Sequence, residues 1–166
     1  SANIVNTVGP SSPIDTASGT SNQDIFICSQ NNGKIYKLNS NNILSVYADT
    51  NINPIYASAN FSITINNGSG RLYTLDRSGI VCSIDSNSIV SLFTISGTPP
   101  SAGCSCIRYK SPKLLYIADS SNNQIIKVDI INPVNAGTGS VLPITGIPAG
   151  FKATRIAFDS IGNMYL

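Results

Sequence analysis

The sequence predicts an all-β protein built from a repeated unit of four short strands, and three observations support that prediction. The segment DIFICSQNNGKIYKLN (24–39) aligns without a gap on LLYIADSSNNQIIKVD (114–129), and RLYTLDRSGIVCSID (71–85) fits with a turn one residue shorter. No stretch of the chain has the apolar spacing of an amphipathic helix. One aromatic position recurs at intervals of 47, 43 and 49 residues, at Phe26, Tyr73, Tyr116 and Tyr165.

Each repeat supplies four strands, named a to d in chain order. The a strand is the apolar segment before the hairpin, such as RIAF (155–158). The b and c strands form the aligned hairpin, whose turns are rich in Asn, Ser and Gly, residues that accept tight-turn backbone conformations. The d strand follows: NSNNILSVYA (39–48) aligns without a gap on DSNSIVSLFT (85–94), and SVLPIT (140–145) is a third version.

Four strands repeating about every 40–50 residues are typical of β-propeller blades. The b strands are apolar on both faces, as expected of a sheet packed between two neighbours, whereas a sheet wetted on one side would alternate. The alternative is a β-sandwich with similar-looking strands, but gapless matches over 16 and 10 residues argue against it. The expected blades, in a single domain covering 1–166, are residues 10–49, 58–96, 103–146 and 153–166.

The number of repeats raises the question of how the ring closes. About three and a half repeats are present, because the fourth stops within its b strand, while propellers close with about four to eight blades. The segment 1–9 resembles a d strand and could latch this incomplete blade. Two interpretations remain open: the chain is part of a larger ring, or copies associate through open blade edges, since an exposed strand edge is a template for pairing.

Two segments, LLYIADSSNNQIIKVD (114–129) and IAFDSIGNMYL (156–166), resemble the NHL-repeat and YVTN-type β-propellers. In that family an a strand ends near Asp-x-x-Gly-Asn, and a b strand ending in Asp leads through a polar turn to a c strand with Ile and Lys. The first repeat departs from the pattern, with Ser29 in place of the Asp and a degenerate a strand in 10–23. The matching positions are Asp159, Gly162, Asn163, Tyr165, Asp119, Asn122, Ile125 and Lys127.

The recurring polar residues are predicted to be structural. A carboxylate at the end of a strand accepts hydrogen bonds from turn amides, and it recurs once per blade, whereas a catalytic residue would occur once. The predicted turn residues are Asp76, Asp119, Asp159 and Asn163.

The four cysteines, Cys28, Cys82, Cys104 and Cys106, have two interpretations. They could pair in disulfides, but they lie in strand-like contexts, so we expect them to be buried as small hydrophobes. Alternation of side chains predicts that Cys104 and Cys106 share a face. The chain has no His, which excludes a Cys/His zinc site, and it shows no catalytic motif. We therefore expect no catalytic residue, metal or cofactor.

Three functions are compatible with the sequence. The leading one is a non-catalytic binding or structural module that presents inter-blade loops (49–58, 96–103 and 145–154) to a protein or glycan partner, in an extracellular, surface or virion setting that the sequence does not determine. The resemblance also admits metal-dependent lactonases or lyases, and RNA-binding propellers.

The charge argues against a nucleic-acid partner, since only 11% of the residues are charged and the net charge is +2. No segment reaches the roughly 18 apolar residues of a membrane span. The candidate binding surface consists of Arg108, Tyr109, Lys110, Lys152 and Arg155, and the basic patch considered for RNA binding adds Lys113.

Overall fold

The computed structural model describes residues 12–19, 23–30, 32–52, 60–146, 148 and 150–166. Strands and turns account for nearly all of this described part, in which the one helical element is a short 3-10 helix at Thr50–Ile52. None of the described helical structure is long and apolar enough to cross a membrane. The strands are β1 (Pro13–Ser18), β2 (Ile25–Ser29), β3 (Lys34–Leu38), β4 (Leu44–Asp49), β5 (Asn60–Asn66), β6 (Arg71–Asp76), β7 (Val81–Ile84), β8 (Val90–Gly97), β9 (Cys104–Lys110), β10 (Leu114–Asp119), β11 (Gln124–Asn132), β12 (Ala136–Leu142), β13 (Ala157–Phe158) and β14 (Met164–Tyr165).

The strands form three antiparallel four-stranded blades and the first two strands of a fourth. Blade 1 is β1 to β4, blade 2 is β5 to β8, blade 3 is β9 to β12, and β13 with β14 begins blade 4. The order within each complete blade follows the chain, so each turn joins neighbouring strands. The molecule is therefore all-β and a partial β-propeller, as the repeats predict.

The hydrophobic core lies between the blades. The cluster between blades 1 and 2 joins Phe26 and Cys28 to Leu72 and Ile84, and a second cluster joins blade 2 to blade 3. A third lies between blade 3 and the start of blade 4. Leu72 packs toward blade 1 while its neighbour Tyr73 packs toward blade 3. This is why the b strands are apolar on both faces.

A β-bulge near the start of the a strand in each of the three complete blades interrupts the alternation of side chains. In β9, Cys106 pairs with Ala118 but Cys104 pairs with Asp119, so Ser105 is an extra residue. Cys104 consequently lies in the core between blades 2 and 3, and Cys106 lies in the next core. The prediction that these two cysteines share a face is therefore wrong, because alternation holds only in an unbulged strand. Corresponding register shifts occur in β1 and β5. All four cysteines are buried as thiols, with no disulfide between them.

The outer strand of blade 3 differs from the expected one. The segment 140–145 was the predicted d strand, but β12 occupies Ala136–Leu142 because the β11–β12 hairpin extends to a turn at 132–135. This extension lets β12 run parallel to β8, with Ala136 opposite Thr94 and Gly139 opposite Gly97. Blades 2 and 3 thereby form one continuous eight-stranded sheet.

Two of the sequence predictions lie outside the described residues. The latching strand at 1–9 is one, and the greater part of the loop 49–58 is the other. Both remain predictions. The a strand of blade 1, which has no recognisable pattern in the sequence, is present as β1 and pairs antiparallel with β2.

Candidate functional site

The innermost strands of the three complete blades meet in a polar cluster formed by Asp15 of β1, Ser62 of β5 and Arg108 of β9, which we call the axial cluster. The Ser62 hydroxyl donates to Asp15 Oδ2 at 2.6 Å, and Arg108 Nη1 donates to the same oxygen at 2.9 Å and to Ser62 Oγ at 3.1 Å. The side chains of Asp15 and Arg108 are 11% and 25% exposed, respectively. One guanidinium therefore connects three blades.

The pKa of the Asp15 carboxyl reflects two opposing effects. Burial raises it, but the hydrogen bonds from Arg108 and Ser62, with the Arg108 charge, lower it more, so the pKa lies below the ordinary Asp value. A carboxyl with a lowered pKa in the folded state contributes stability that is complete above the unfolded pKa of about 3.9. That contribution is lost as the pH falls through the folded pKa.

Polar side chains on the inner strands also bind backbone amides of the next blade. Ile63 N donates to Asp15 Oδ2 at 3.2 Å, Ile107 N donates to Ser62 Oγ at 3.1 Å, and Tyr109 N donates to Thr64 Oγ1 at 2.9 Å. These amides lie on the free edge of each blade and would otherwise lack a partner in the ladder. The polar residues of β1 and β5 thus satisfy the edges of β5 and β9.

Two of the predicted turn residues, Asp76 and Asp119, are the last residues of b strands. Asp76 Oδ1 accepts from the Ile80 amide at 2.8 Å. Asp119 is fully buried, and its oxygens accept from Ser101 Oγ at 2.8 Å, Asn122 Nδ2 at 2.9 Å and Gln124 Nε2 at 3.1 Å. Asp119 therefore connects its own turn to the loop before β9.

The other two turn residues, Asp159 and Asn163, belong to the turn between β13 and β14. Asp159 accepts from the Asn163 amide at 2.8 Å, from Asn163 Nδ2 at 2.8 Å and from the Tyr165 hydroxyl at 3.1 Å. This a–b turn lies at the opposite end of the blades from the b–c turns of Asp76 and Asp119. The four residues consequently form no common site.

Replacing Asp119 with Asn is expected to lower the free energy of unfolding by about 2 kcal/mol, because the amide introduces a donor where Asn122 and Gln124 already donate. Urea unfolding at pH 7 measures the loss. Asp159→Asn is the control, since this turn carboxylate is only half-buried and should tolerate the change better. Equal losses for the two variants would contradict a special role for the buried carboxylate.

A cavity of about 280 Å³, which we call the blade 2–3 groove, lies between blades 2 and 3 at the end that carries the a–b turns. The rings of Tyr73 and Tyr109 lie parallel in its wall, with centroids 6.4 Å apart and planes inclined by 5°. The extended β11–β12 hairpin forms one side, where Pro133 O accepts from the Tyr73 hydroxyl at 3.1 Å. The groove is lined by Asn66, Ser69, Arg71, Tyr73, Tyr109, Pro112, Lys113, Ile130 and Pro133.

The blade 2–3 groove carries two cations, Arg71 and Lys113. Neither makes an ion pair with any Asp, although all eight acidic side chains of the chain belong to the described residues. Arg71 Nη1 has a long hydrogen bond of 3.4 Å to Ser83 Oγ. Burial raises the pKa of Tyr73 to about 12, and the Arg71 charge offsets this only in part, so the phenol is neutral. The groove is thus a positively charged cavity with an aromatic wall.

The corresponding space between blades 1 and 2, of about 200 Å³, has a different charge. Asp24 occupies the position of Arg71, two residues before the marker aromatic, and binds Lys37 at 2.8 Å. Ile65 stands where blade 3 has Tyr109, since Ile65 pairs with Leu72 as Tyr109 pairs with Leu115. The charge and the second tyrosine therefore distinguish the blade 2–3 groove from its repeat-equivalent.

The predicted binding surface does not form one patch. Arg108 is in the axial cluster, and Lys110 Nζ donates to Gly162 O at 2.7 Å and lies 4.7 Å from the Phe158 ring centroid. Lys152 and Arg155 are exposed in the segment that leads into β13 of blade 4, whereas Lys110 ends β9 of blade 3. Tyr109 of the predicted binding surface lines the blade 2–3 groove, together with Lys113 of the patch considered for RNA binding.

Sequence reasoning missed the remaining groove residues. Arg71 was the most visible of them, because the aligned copies have Asp24 and Leu114 at its position. A charge whose sign is opposite to that of the equivalent residue in another copy, as for Arg71 and Asp24, is a usable signal. The wall formed by Pro133 could not be found this way, because it depends on the extended hairpin.

The acidic side chains are all engaged in local structure. Three of them, Asp15, Asp24 and Asp129, form ion pairs. The others accept hydrogen bonds from turn or loop groups, namely Asp49, Asp76, Asp85, Asp119 and Asp159. Within the described residues, no three Asp or Cys side chains come together in a way that could hold a metal ion.

Comparison with solved structures finds β-propellers. Virginiamycin B lyase from Staphylococcus aureus superposes with a TM-score of 0.67 at 18% identity, over 89% of this chain and 45% of that one. The major Malassezia sympodialis allergen Mala s 1 superposes with a TM-score of 0.69 at 14% identity, over 94% of this chain and 49% of that one. A chain of a nidogen–laminin complex gives 0.60 at 13% identity, over 79% and 53%.

These similarities establish the fold, and the chain spans about half the length of the proteins it matches. No protein-family model matches the chain, and no curated protein matches it in sequence. The structural neighbours include lyases as well as a propeller from a protein complex. The prediction of a partial β-propeller is confirmed.

Proposed function

We propose that this chain is a non-catalytic binding module of the β-propeller type, with a protein or glycan partner. The engagement of every acidic side chain in ion pairs or hydrogen bonds carries this proposal. General acid–base chemistry needs a titratable group that can reach a substrate. This chain has no His, its cysteines are buried, and its eight acidic side chains already serve the structure.

The alternative enzymatic function is a lyase, because lyases are among the structural neighbours. One neighbouring structure is described as a catalytically inactive histidine-to-alanine variant of virginiamycin B lyase with quinupristin. The present chain contains no histidine, and it spans 44% of that protein. The chain therefore lacks the residue type whose loss inactivates that neighbour, which supports binding over lyase chemistry for these blades.

RNA binding is the other alternative, and the charge distribution supports it less. Arg108 is paired with Asp15, and Lys110 contacts blade 4, so neither is a free cation on a basic face. The assignment to NHL or YVTN repeats remains part of this proposal and rests on the motif residues at 114–129 and 156–166. An extracellular, surface or virion location, and self-association through open blade edges, remain further elements of it.

A binding array of glycans and proteins tests the function of the 166-residue chain. We expect saturable binding to at least one probe, with the probe recovered unchanged as judged by mass spectrometry. Recovery of a cleaved or isomerised probe would overturn the non-catalytic assignment. Binding restricted to RNA, with an affinity that falls steeply with salt, would favour the RNA-binding alternative.

A further inference from the structure

We propose that the blade 2–3 groove binds a carboxylate-bearing sugar residue, an inference that rests on the proposed binding function and names its ligand class. Arg71 and Lys113 supply two positive charges that no described acidic side chain neutralises. Arg is suited to bidentate recognition of a carboxylate. The charge therefore requires an anionic group in the ligand.

The remaining lining defines the rest of the ligand. The Tyr109 ring and the apolar Pro112, Ile130 and Pro133 offer a surface against which the C–H face of a pyranose ring packs. Asn66 and Ser69 add an amide and a hydroxyl that can hydrogen-bond sugar hydroxyls. A cavity of about 280 Å³ lies just below the range of pockets for drug-sized ligands, about 300–1,000 Å³, and so suits a single ring.

The groove is also built from departures from the repeat, which the propeller architecture does not require. Arg71 replaces the Asp24 and Leu114 of the other copies, whereas the aromatic ring of Tyr109 recurs at Phe158 of blade 4. The second departure is the extended β11–β12 hairpin, whose Pro133 closes the cavity. Both departures converge on one space between blades. Arg108, which also occurs once, is paired with Asp15, whereas Arg71 makes no ion pair with any described acidic side chain, so its place in this cavity supports a ligand-directed role.

Titration calorimetry with the 166-residue chain tests the proposal. The acidic probes are an oligogalacturonate and a sialic-acid-terminated trisaccharide, and the matched neutral probe is the methyl-esterified oligogalacturonate. We expect at least one acidic probe to bind. The methyl ester should bind with an affinity lower by about tenfold or more, because the charge-assisted hydrogen bonds are lost. Inorganic phosphate is the anion control, and binding of phosphate as tight as that of the sugars would overturn the sugar assignment.

Substitutions that introduce the residue found at the equivalent position of another blade are expected to preserve the fold and to remove the binding site. Arg71→Leu and Tyr109→Ile introduce the residues that other blades have at these positions, Leu114 and Ile65. Each substitution is expected to lower the affinity for the acidic probe by about tenfold or more. Arg71→Lys should retain part of the affinity. Lys127→Gln removes one charge outside the groove, from an exposed pair with Asp129, and should bind like the parent chain. Circular dichroism and thermal melting confirm that the variants are folded.

The outcomes separate this inference from the proposed function. No binding of any acidic probe, or undiminished binding by Arg71→Leu, overturns the acidic-sugar assignment. If the parent chain and Arg71→Leu bind a neutral glycan or a protein with equal affinity, the acidic-sugar assignment is also overturned, but the proposed binding function stands. Chemical conversion of a probe overturns the proposed function itself.

Discussion

Replacing Arg108 with Ala is expected to lower the free energy of unfolding by about 3 kcal/mol at pH 7. The substitution leaves the Asp15 carboxylate, which is 11% exposed, without its cation, and breaking such a buried pair is more costly than forming it is favourable. Ser62 also loses a donor, and three blades lose their common contact. Urea unfolding measures the change.

Two further variants identify the origin of this loss. Arg108→Lys keeps the charge but not the bidentate hydrogen bonding to Asp15, so we expect an intermediate decrease in the free energy of unfolding. Lys127→Ala removes the cation of an exposed pair, and its effect should be below about 1 kcal/mol. Similar losses for Arg108→Ala and Lys127→Ala would contradict a structural role for the axial cluster.

The pH dependence of the free energy of unfolding is an independent test of the contact between Asp15 and Arg108. The lowered pKa of Asp15 means that its contribution is complete above about pH 4 and is lost as the pH falls through the folded value. The stability difference between the parent chain and Arg108→Ala should therefore narrow below about pH 4. A difference that stays constant from pH 7 to pH 3 would assign the loss to packing of the arginine stem instead.

The blades were predictable from the sequence because their physical cause is local and repeated. Each b strand packs against two neighbouring blades, so Leu72 and Tyr73 are both buried, and the same requirement acts on every copy. The turns repeat for a similar reason, since Asp85 accepts amide hydrogen bonds as Asn39 does in the preceding blade. Requirements that act once per blade leave a period in the sequence.

The axial cluster and the groove were not predictable in this way because each occurs once. Asp15 lies in a segment without a recognisable strand pattern, and its partner Arg108 is 93 residues away. The Cys104–Cys106 error has a different cause: the bulge recurs in β1, β5 and β9, but it is a backbone feature that no single residue type indicates. Arg71 is intermediate: its departure from the repeat was visible, but its cavity was not.

Replacing Gly139 with Ala is expected to lower the free energy of unfolding by about 2–3 kcal/mol, because a methyl group cannot fit between β12 and β8. A Cβ on Gly139 would lie 2.2 Å from Thr98 O and 2.9 Å from Ile95 Cγ2. The parallel pairing of the two strands includes the hydrogen bond from Thr98 N to Gly139 O at 3.0 Å, which should be lost as they separate.

Urea unfolding and amide exchange at Thr98 measure the effect of Gly139→Ala, and Gly68→Ala is the matched control. A Cβ on Gly68 approaches nothing closer than Asn66 Oδ1 at 3.4 Å, so this exposed turn should tolerate it. Unchanged stability together with protected Thr98 exchange in Gly139→Ala would contradict the β8–β12 pairing. The β11–β12 hairpin that contains Gly139 also carries Pro133, which lines the blade 2–3 groove. We therefore expect Gly139→Ala to widen the groove and to lower the affinity for the acidic sugar probe, although Arg71 is unchanged.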